Sequence, residues 1–255
     1  MWTNLGSGCK LLSRLVAPKR PKDAMPKVSE QLVNRFWELH NNLKSYPKAW
    51  ASLYDWSLQQ GQARSLGSPV DSWKSASGKA FEEIAIGIIN DQVTNSRLRA
   101  LIRILRWGQA DPDMRRGILA EPVWPKGQIK EAEIAESKVD VIAVAVENEH
   151  PYRLVSVYSC KSSVAERYQQ DLFWAEKIRG RGIKFCFVTI DAGFIKHATT
   201  PRDTGTAGRG KTLPLAQALY DRIYLLTDDP IVTDMQVFRK IETVVDDLDL
   251  WLKAY

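Results

Sequence analysis

Three stretches of this chain are built largely from β-branched, aromatic and small apolar side chains and read with a period of two: KVDVIAVAVE (138–147), RLVSVYSCK (153–161) and IKFCFVTID (183–191). Each is bounded by turn formers, the pattern of a β-strand. The first two are separated only by the short turn segment within NEHPY, so they pair as a hairpin. Between the second and third lies AERYQQDLFWAEKIRGRG, where Val164, Tyr168, Leu172 and Ala175 make a helical stripe and Gly180 offers a stop. A strand, helix, strand order implies a parallel pair joined by a right-handed crossover. The expectation is an α/β protein with a mixed central sheet flanked by helices.

Upstream the period changes to that of a helix. Leu32, Val33, Phe36, Trp37 and Leu39, then Trp50, Leu53, Tyr54 and Trp56 after a break at Pro47, predict a helical N-terminal region. SGKAFEEIAIGIIND predicts another helix, with Phe81, Ile84, Ala85, Ile88 and Ile89 on one face. Glu82 flanks that stripe, and Glu83, turned by about 100°, is expected to face solvent. LRALIRILRW reads as a continuation of this helix or as a separate amphipathic one, followed by an irregular crossing marked by Pro112, Pro122 and Pro125. The tail predicts a short helix (PLAQALYD), a strand (RIYLLTD) and a terminal helix over residues 232–252.

At 255 residues the chain suits one compact domain with an appended subdomain. The boundaries expected are a basic arm and helical subdomain over 1–70 and a core over 71–255. The arm, 1–27, is basic and proline-bearing, and HATTPRDTGTAGRGKT is a long polar loop with several cationic side chains. No apolar run approaches the roughly 18 residues of a membrane span. The three cysteines (Cys9, Cys160, Cys186) show no metal-binding spacing and suit a reducing compartment; Lys10 and Arg14 interrupt the only leader-like stretch. These features predict a cytoplasmic protein. A formal net charge of +6 favours a polyanionic partner without requiring one.

Alternation along a strand puts Ser159 and Lys161 on one face and Cys160 on the other, and Asp140 opens the partner strand. Asp140 and Lys161 are therefore placed to meet across the hairpin. An acid and a lysine at the mouth of an apolar sheet are costly to desolvate unless they pair or bind something. Spacing alone allows either a satisfied ion pair or a catalytic pair. His40, His150 and His197 have no partner that spacing would justify as a base system.

Asp140, an 18-residue gap, then Ser159-Cys160-Lys161 resembles the PD-(D/E)XK nuclease core, with Ser159 standing where that pattern has an acid. The continuation, SCKSSVAERYQQ, is similar to a segment of the type II restriction endonucleases that cut CCGG, CCNGG and CCWGG-like sites. There Lys-[ST]-[ST] precedes an acidic-Arg pair, an aromatic and Gln, and the missing acid sits on the following helix. Ala165 departs from that group, which often has a basic residue there. The resemblance implies a PD-(D/E)XK core and Mg²⁺-dependent, sequence-specific hydrolysis of double-stranded DNA at a short, palindromic, G/C-containing site.

Carried over residue by residue, the resemblance makes Asp140 a metal ligand and Lys161 the catalytic lysine. Glu176, fifteen residues after Lys161, becomes the displaced acid with Asp171 as its rival, and Glu82 the acid from an early helix. Glu166, Arg167, Gln169 and Gln170 would read base edges, while Ser162, Ser163, Arg202, Arg209 and Lys211 would contact phosphates. A homodimer would match a palindrome, and a prokaryotic cytoplasm with a cognate DNA methyltransferase would be the setting. The alternatives are a repair or junction-resolving nuclease of the same superfamily, and a non-catalytic DNA-binding protein.

Overall fold

The computed structural model describes residues 28–63, 68–110, 139–162, 178, 182–190, 218–228 and 237–254. Six strands among them form one sheet, whose spatial order is the order of the sequence. These are β1 (Ile102–Arg106), β2 (Val141–Glu147), β3 (His150–Cys160), β4 (Lys184–Thr189), β5 (Arg222–Leu225) and β6 (Phe238–Lys240). β1, β2 and β3 run antiparallel, whereas β3 through β6 run parallel. β3 is thus the strand at which the sheet changes sense, and the parallel strands all end on the side where Lys161 follows Cys160.

The sheet is covered on both faces, which is why its central strands read as near-continuous apolar runs. Val141, Ala143, Ala145, Tyr158, Cys160, Cys186 and Val188 belong to one buried cluster. Ile142, Val144, Val157, Phe185, Phe187 and Ile223 belong to the other. The hairpin joining β2 to β3 closes through Asn148 and Glu149, both at positive φ (49° and 68°), with Glu147 opposite His150. Two positive-φ residues match the right-handed twist of the strands they join.

Among the described residues, four helices share the first face: α1 (Val28–Leu43), α2 (Tyr46–Ala63), α3 (Pro69–Thr94) and α4 (Val244–Lys253). α3, at 26 residues, begins with Ser68 accepting from the Asp71 amide (3.3 Å) and with Pro69 in its first turn. Its Phe81, Ile84, Ala85, Ile88 and Ile89 are buried together with Leu32 and Phe36 of α1 and Ala49 and Leu53 of α2. Each such side chain is worth roughly 1.5–3 kcal/mol for the larger ones. The break between α1 and α2 falls at Lys44 and Ser45 instead of at Pro47, which a first helical turn accommodates. α4 is tied to β5 by Asp247, which accepts from Arg222 Nε (3.0 Å) and the Tyr224 hydroxyl (2.9 Å).

Two expectations are corrected. LRALIRILRW is no α-helix: 3₁₀ turns stand at its two ends (Arg97–Ala100 and Trp107–Gln109), and residues 102–106 between them are strand β1, paired with β2. The apolar spacing there resembles a helix, but hydrogen bonding to the buried β2 prevails over local preference. Of the described part of the terminal helix expected over 232–252, Val244–Lys253 is helical, preceded by β6 and a 3₁₀ turn (Ile241–Thr243). Residues 231–236 lie outside the described residues, as do the crossover (163–177) and the polar loop. No helix among the described residues is long and apolar enough to cross a membrane.

Candidate active site

Asp140 stands one residue before β2, beside the end of β3. Its amide donates to the Tyr158 carbonyl (3.2 Å), and its own carbonyl accepts from the Trp107 amide (3.3 Å). Its backbone is thereby held between β1 and β3. Its carboxylate Oδ2 accepts from the Cys160 amide and from Lys161 Nζ, both at 2.7 Å. Lys161 in turn is anchored by its amide to the Val188 carbonyl (3.0 Å). Its ammonium also donates to Glu82 Oε1 at 3.2 Å. One cation therefore bridges two carboxylates supplied by two different elements, the start of β2 and the middle of α3.

The burial of the three differs in a way that bears on chemistry. Side-chain exposure is 12% for Asp140, 16% for Lys161 and 36% for Glu82, so Glu82 is the side chain open to an incoming ligand. Desolvation, then the negative charge of Asp140, raises the Glu82 carboxyl above the usual range, against the pull of Lys161. Burial works against the Lys161 ammonium, but Asp140, with its hydrogen bond, and Glu82 outweigh it and lift its pKa. Lys161 is accordingly a firm cation at neutral pH and a donor, not a free amine. Burial, then Asp140, pushes the Cys160 thiol well up, which leaves it inert as a nucleophile.

Asp140, Lys161 and Glu82 are thus brought together, whereas Ser159 is not part of the group. It is buried (1% exposed), and its hydroxyl has no hydrogen-bond partner among the described residues. Strand alternation expected Lys161 to share the Ser159 face. The chain leaves the strand at Cys160, and the ammonium reaches α3, which packs on the face that carries Cys160. Ser162, half-buried, follows Lys161 directly. Glu176, Asp171, Ser163, Glu166, Arg167, Gln169, Gln170, Arg202, Arg209 and Lys211 lie outside the described residues.

Glu83 corrects another expectation. Far from facing solvent, it forms an ion pair with Arg106 at the end of β1 and is only 23% exposed. Sequence reasoning missed Arg106, because its position depends on residues 102–106 being a strand. A cleft of about 370 Å³ opens beside this pair, lined by Ser29, Glu30, Asn34 and Lys79 among others.

The donor set fits a hard divalent cation. Asp140 and Glu82 each bring a carboxylate oxygen to the same ammonium, and Mg²⁺ is commonly held by one or two carboxylates, with waters and phosphates completing its shell. Among the described residues no group of three or more acidic, histidine or cysteine side chains is suited to hold a metal.

Residues 123–249 match the family model described as BsaWI restriction endonuclease type 2. None of the curated proteins matches the chain. Among solved structures, that of a specific AgeI–DNA complex superposes with a TM-score of 0.56 at 16% identity, covering 84% of this chain and 78% of that one. A pre-specific BsaWI–DNA complex is also similar, at 16% identity and a TM-score of 0.47, covering 89% of this chain and 94% of that one.

Proposed function

Taking as premise that this chain is a type II restriction endonuclease, we propose that Asp140, Glu82 and Lys161 form its catalytic centre and that it hydrolyses double-stranded DNA in an Mg²⁺-dependent reaction at a short, palindromic, G/C-containing site. The observation that carries this reading is the Lys161 ammonium lying within hydrogen-bond distance of both Asp140 and Glu82 at the end of β3.

Asp140 and Glu82 would hold the Mg²⁺, with Glu176, or Asp171 in its place, adding a carboxylate from the segment after Lys161. The ion, when bound, supplies positive charge against the phosphate and lowers the pKa of a coordinated water. Lys161, kept protonated by Asp140, donates to the attacking water or a phosphate oxygen and stabilises charge as it develops there. Asp140, held by three hydrogen bonds to neighbouring backbone groups, fixes where that ammonium points.

For recognition, Glu166 accepts from a cytosine amino group, Arg167 forks onto guanine, and Gln169 or Gln170 reaches adenine or phosphate. Ser162, Ser163, Arg202, Arg209 and Lys211 contact the backbone, and two copies related by a two-fold axis serve the two half-sites. A prokaryotic cytoplasm with a companion DNA methyltransferase is the setting in which such an activity is tolerated.

Unmethylated bacteriophage DNA incubated with the protein and Mg²⁺ gives discrete fragments on this reading, and Lys161→Ala yields none while binding the same site within about tenfold, because transition-state stabilisation is what is lost. Cleavage by Lys161→Ala within tenfold of wild type overturns the assignment. The same assays on Glu176→Ala and Asp171→Ala show which acid serves the metal, by an expected loss of about a hundredfold or more in one of them.

A further inference from the structure

We propose that Arg106 and Trp107, at the end of β1, are a positioning bracket that sets the separation of Asp140 and Glu82, and so the affinity of the site for its cation. This rests on the catalytic reading above. The observation is that this single dipeptide grips both carboxylate-bearing segments. The Trp107 amide donates to the Asp140 carbonyl (3.3 Å), and Arg106 is paired with Val141, the residue after Asp140, in the β1–β2 ladder. On the other side the Arg106 guanidinium holds Glu83, the immediate neighbour of Glu82 on α3.

The bracket has a firm base. The Arg106 amide donates to Gln109 Oε1 (3.3 Å), which closes the 3₁₀ turn Trp107–Gln109. Trp107 itself is 4% exposed and belongs to the second buried cluster. α3 and the start of β2 are remote in sequence, so their spacing needs a crosslink. Glu83 and Glu82 are consecutive on a helix and point about 100° apart, so a side chain fixed at Glu83 fixes the azimuth at which Glu82 leaves the helix. Arg106 also lies close enough for its charge to interact with Glu82. It touches neither phosphate nor the reacting atoms in this role; it acts through Glu82.

The test uses Tb³⁺ alone as the probe, titrated into the full-length protein without DNA and followed by the ion's luminescence on excitation of tryptophan. Wild type shows a saturable signal that Asp140→Ala loses. Arg106→Gln is expected to weaken Tb³⁺ binding about tenfold or more, the range found when groups supporting a metal ligand are removed, and Glu83→Gln to do likewise. Arg106→Lys, which keeps the charge opposite Glu83, recovers part of the loss. Thermal melts of all variants are recorded alongside, since a merely structural ion pair would lower the melting temperature and leave Tb³⁺ affinity at wild-type value. That result, in variants that remain folded, overturns the bracket while Asp140→Ala still upholds the catalytic reading. Should Asp140→Ala bind Tb³⁺ as wild type does, the catalytic reading itself falls and the bracket with it. If Arg106→Gln fails to fold, Arg106→Lys and Glu83→Gln decide between the same two results.

Discussion

Single residues on α3 carry more of this architecture than their chemistry suggests. Gly87 is one: a Cβ added there would stand 2.9 Å from Trp37 Cζ2, so the indole of α1 lies almost on the α3 backbone. Gly87→Ala gains helix propensity of about 1 kcal/mol. It also forces the Trp37 ring aside, and overpacking of this kind costs about 1–3 kcal/mol. The clash wins, because Trp37 also packs edge-on against Phe36 and His40 and has little room to move. Urea denaturation should show Gly87→Ala destabilised by about 1 kcal/mol, and a stabilised variant would mean that α1 slides freely on α3. Glu82 and Glu83 divide their labour at the same scale: one carboxylate meets Lys161, and its neighbour meets Arg106. The family resemblance singled out the first, and helix periodicity misjudged the second. A residue turned off the apolar stripe faces solvent only when no other element arrives there.

At the level of elements, legibility followed burial. β2, β3 and β4 were readable because both of their faces are covered, which writes an apolar run into the sequence. β1 was not, because it has only one strand neighbour in the described sheet and only Ile102 of its five residues is fully buried. β6 has three residues, too few for any period to register. The Asp140–Lys161 contact was legible because it needs only a hairpin that returns the end of β3 to the start of β2, whereas the Arg106–Glu83 contact required knowing that β1 is a strand. The hairpin that aligns Asp140 with Lys161 contains a local mismatch: Glu149 adopts φ 68°, a region where a side chain is strained. Glu149→Gly creates the Asn-Gly pair that such a turn prefers and relieves a left-handed cost of about 1–2 kcal/mol. That exceeds the roughly 0.5–1 kcal/mol of extra chain entropy that glycine loses on folding, so the change should raise stability by about 0.5 kcal/mol with no change in cleavage. A lower melting temperature in that variant would show that the Glu149 side chain has a contact worth more than the strain.

For the molecule as a whole, the sheet's change of sense at β3 gathers the chemistry at one end. The antiparallel hairpin brings Asp140 back to the point where the parallel strands finish, and α3 delivers Glu82 to the same place. Lys161 then neutralises part of what would otherwise be two acids in a half-buried setting. The fold therefore holds its own countercharge there. Chelation with EDTA should stop cutting yet leave a cooperative thermal transition, and Mg²⁺ at tenfold over its Kd should add only the mass-action increment of about 1.4 kcal/mol. A chelated chain that melts without cooperativity would refute this. On the proposed Mg²⁺-dependent reading, a nuclease so built would mature in two separate steps: the chain would be finished and safe to store before it is armed, and the moment of arming would belong to the arrival of an ion, not to the completion of folding.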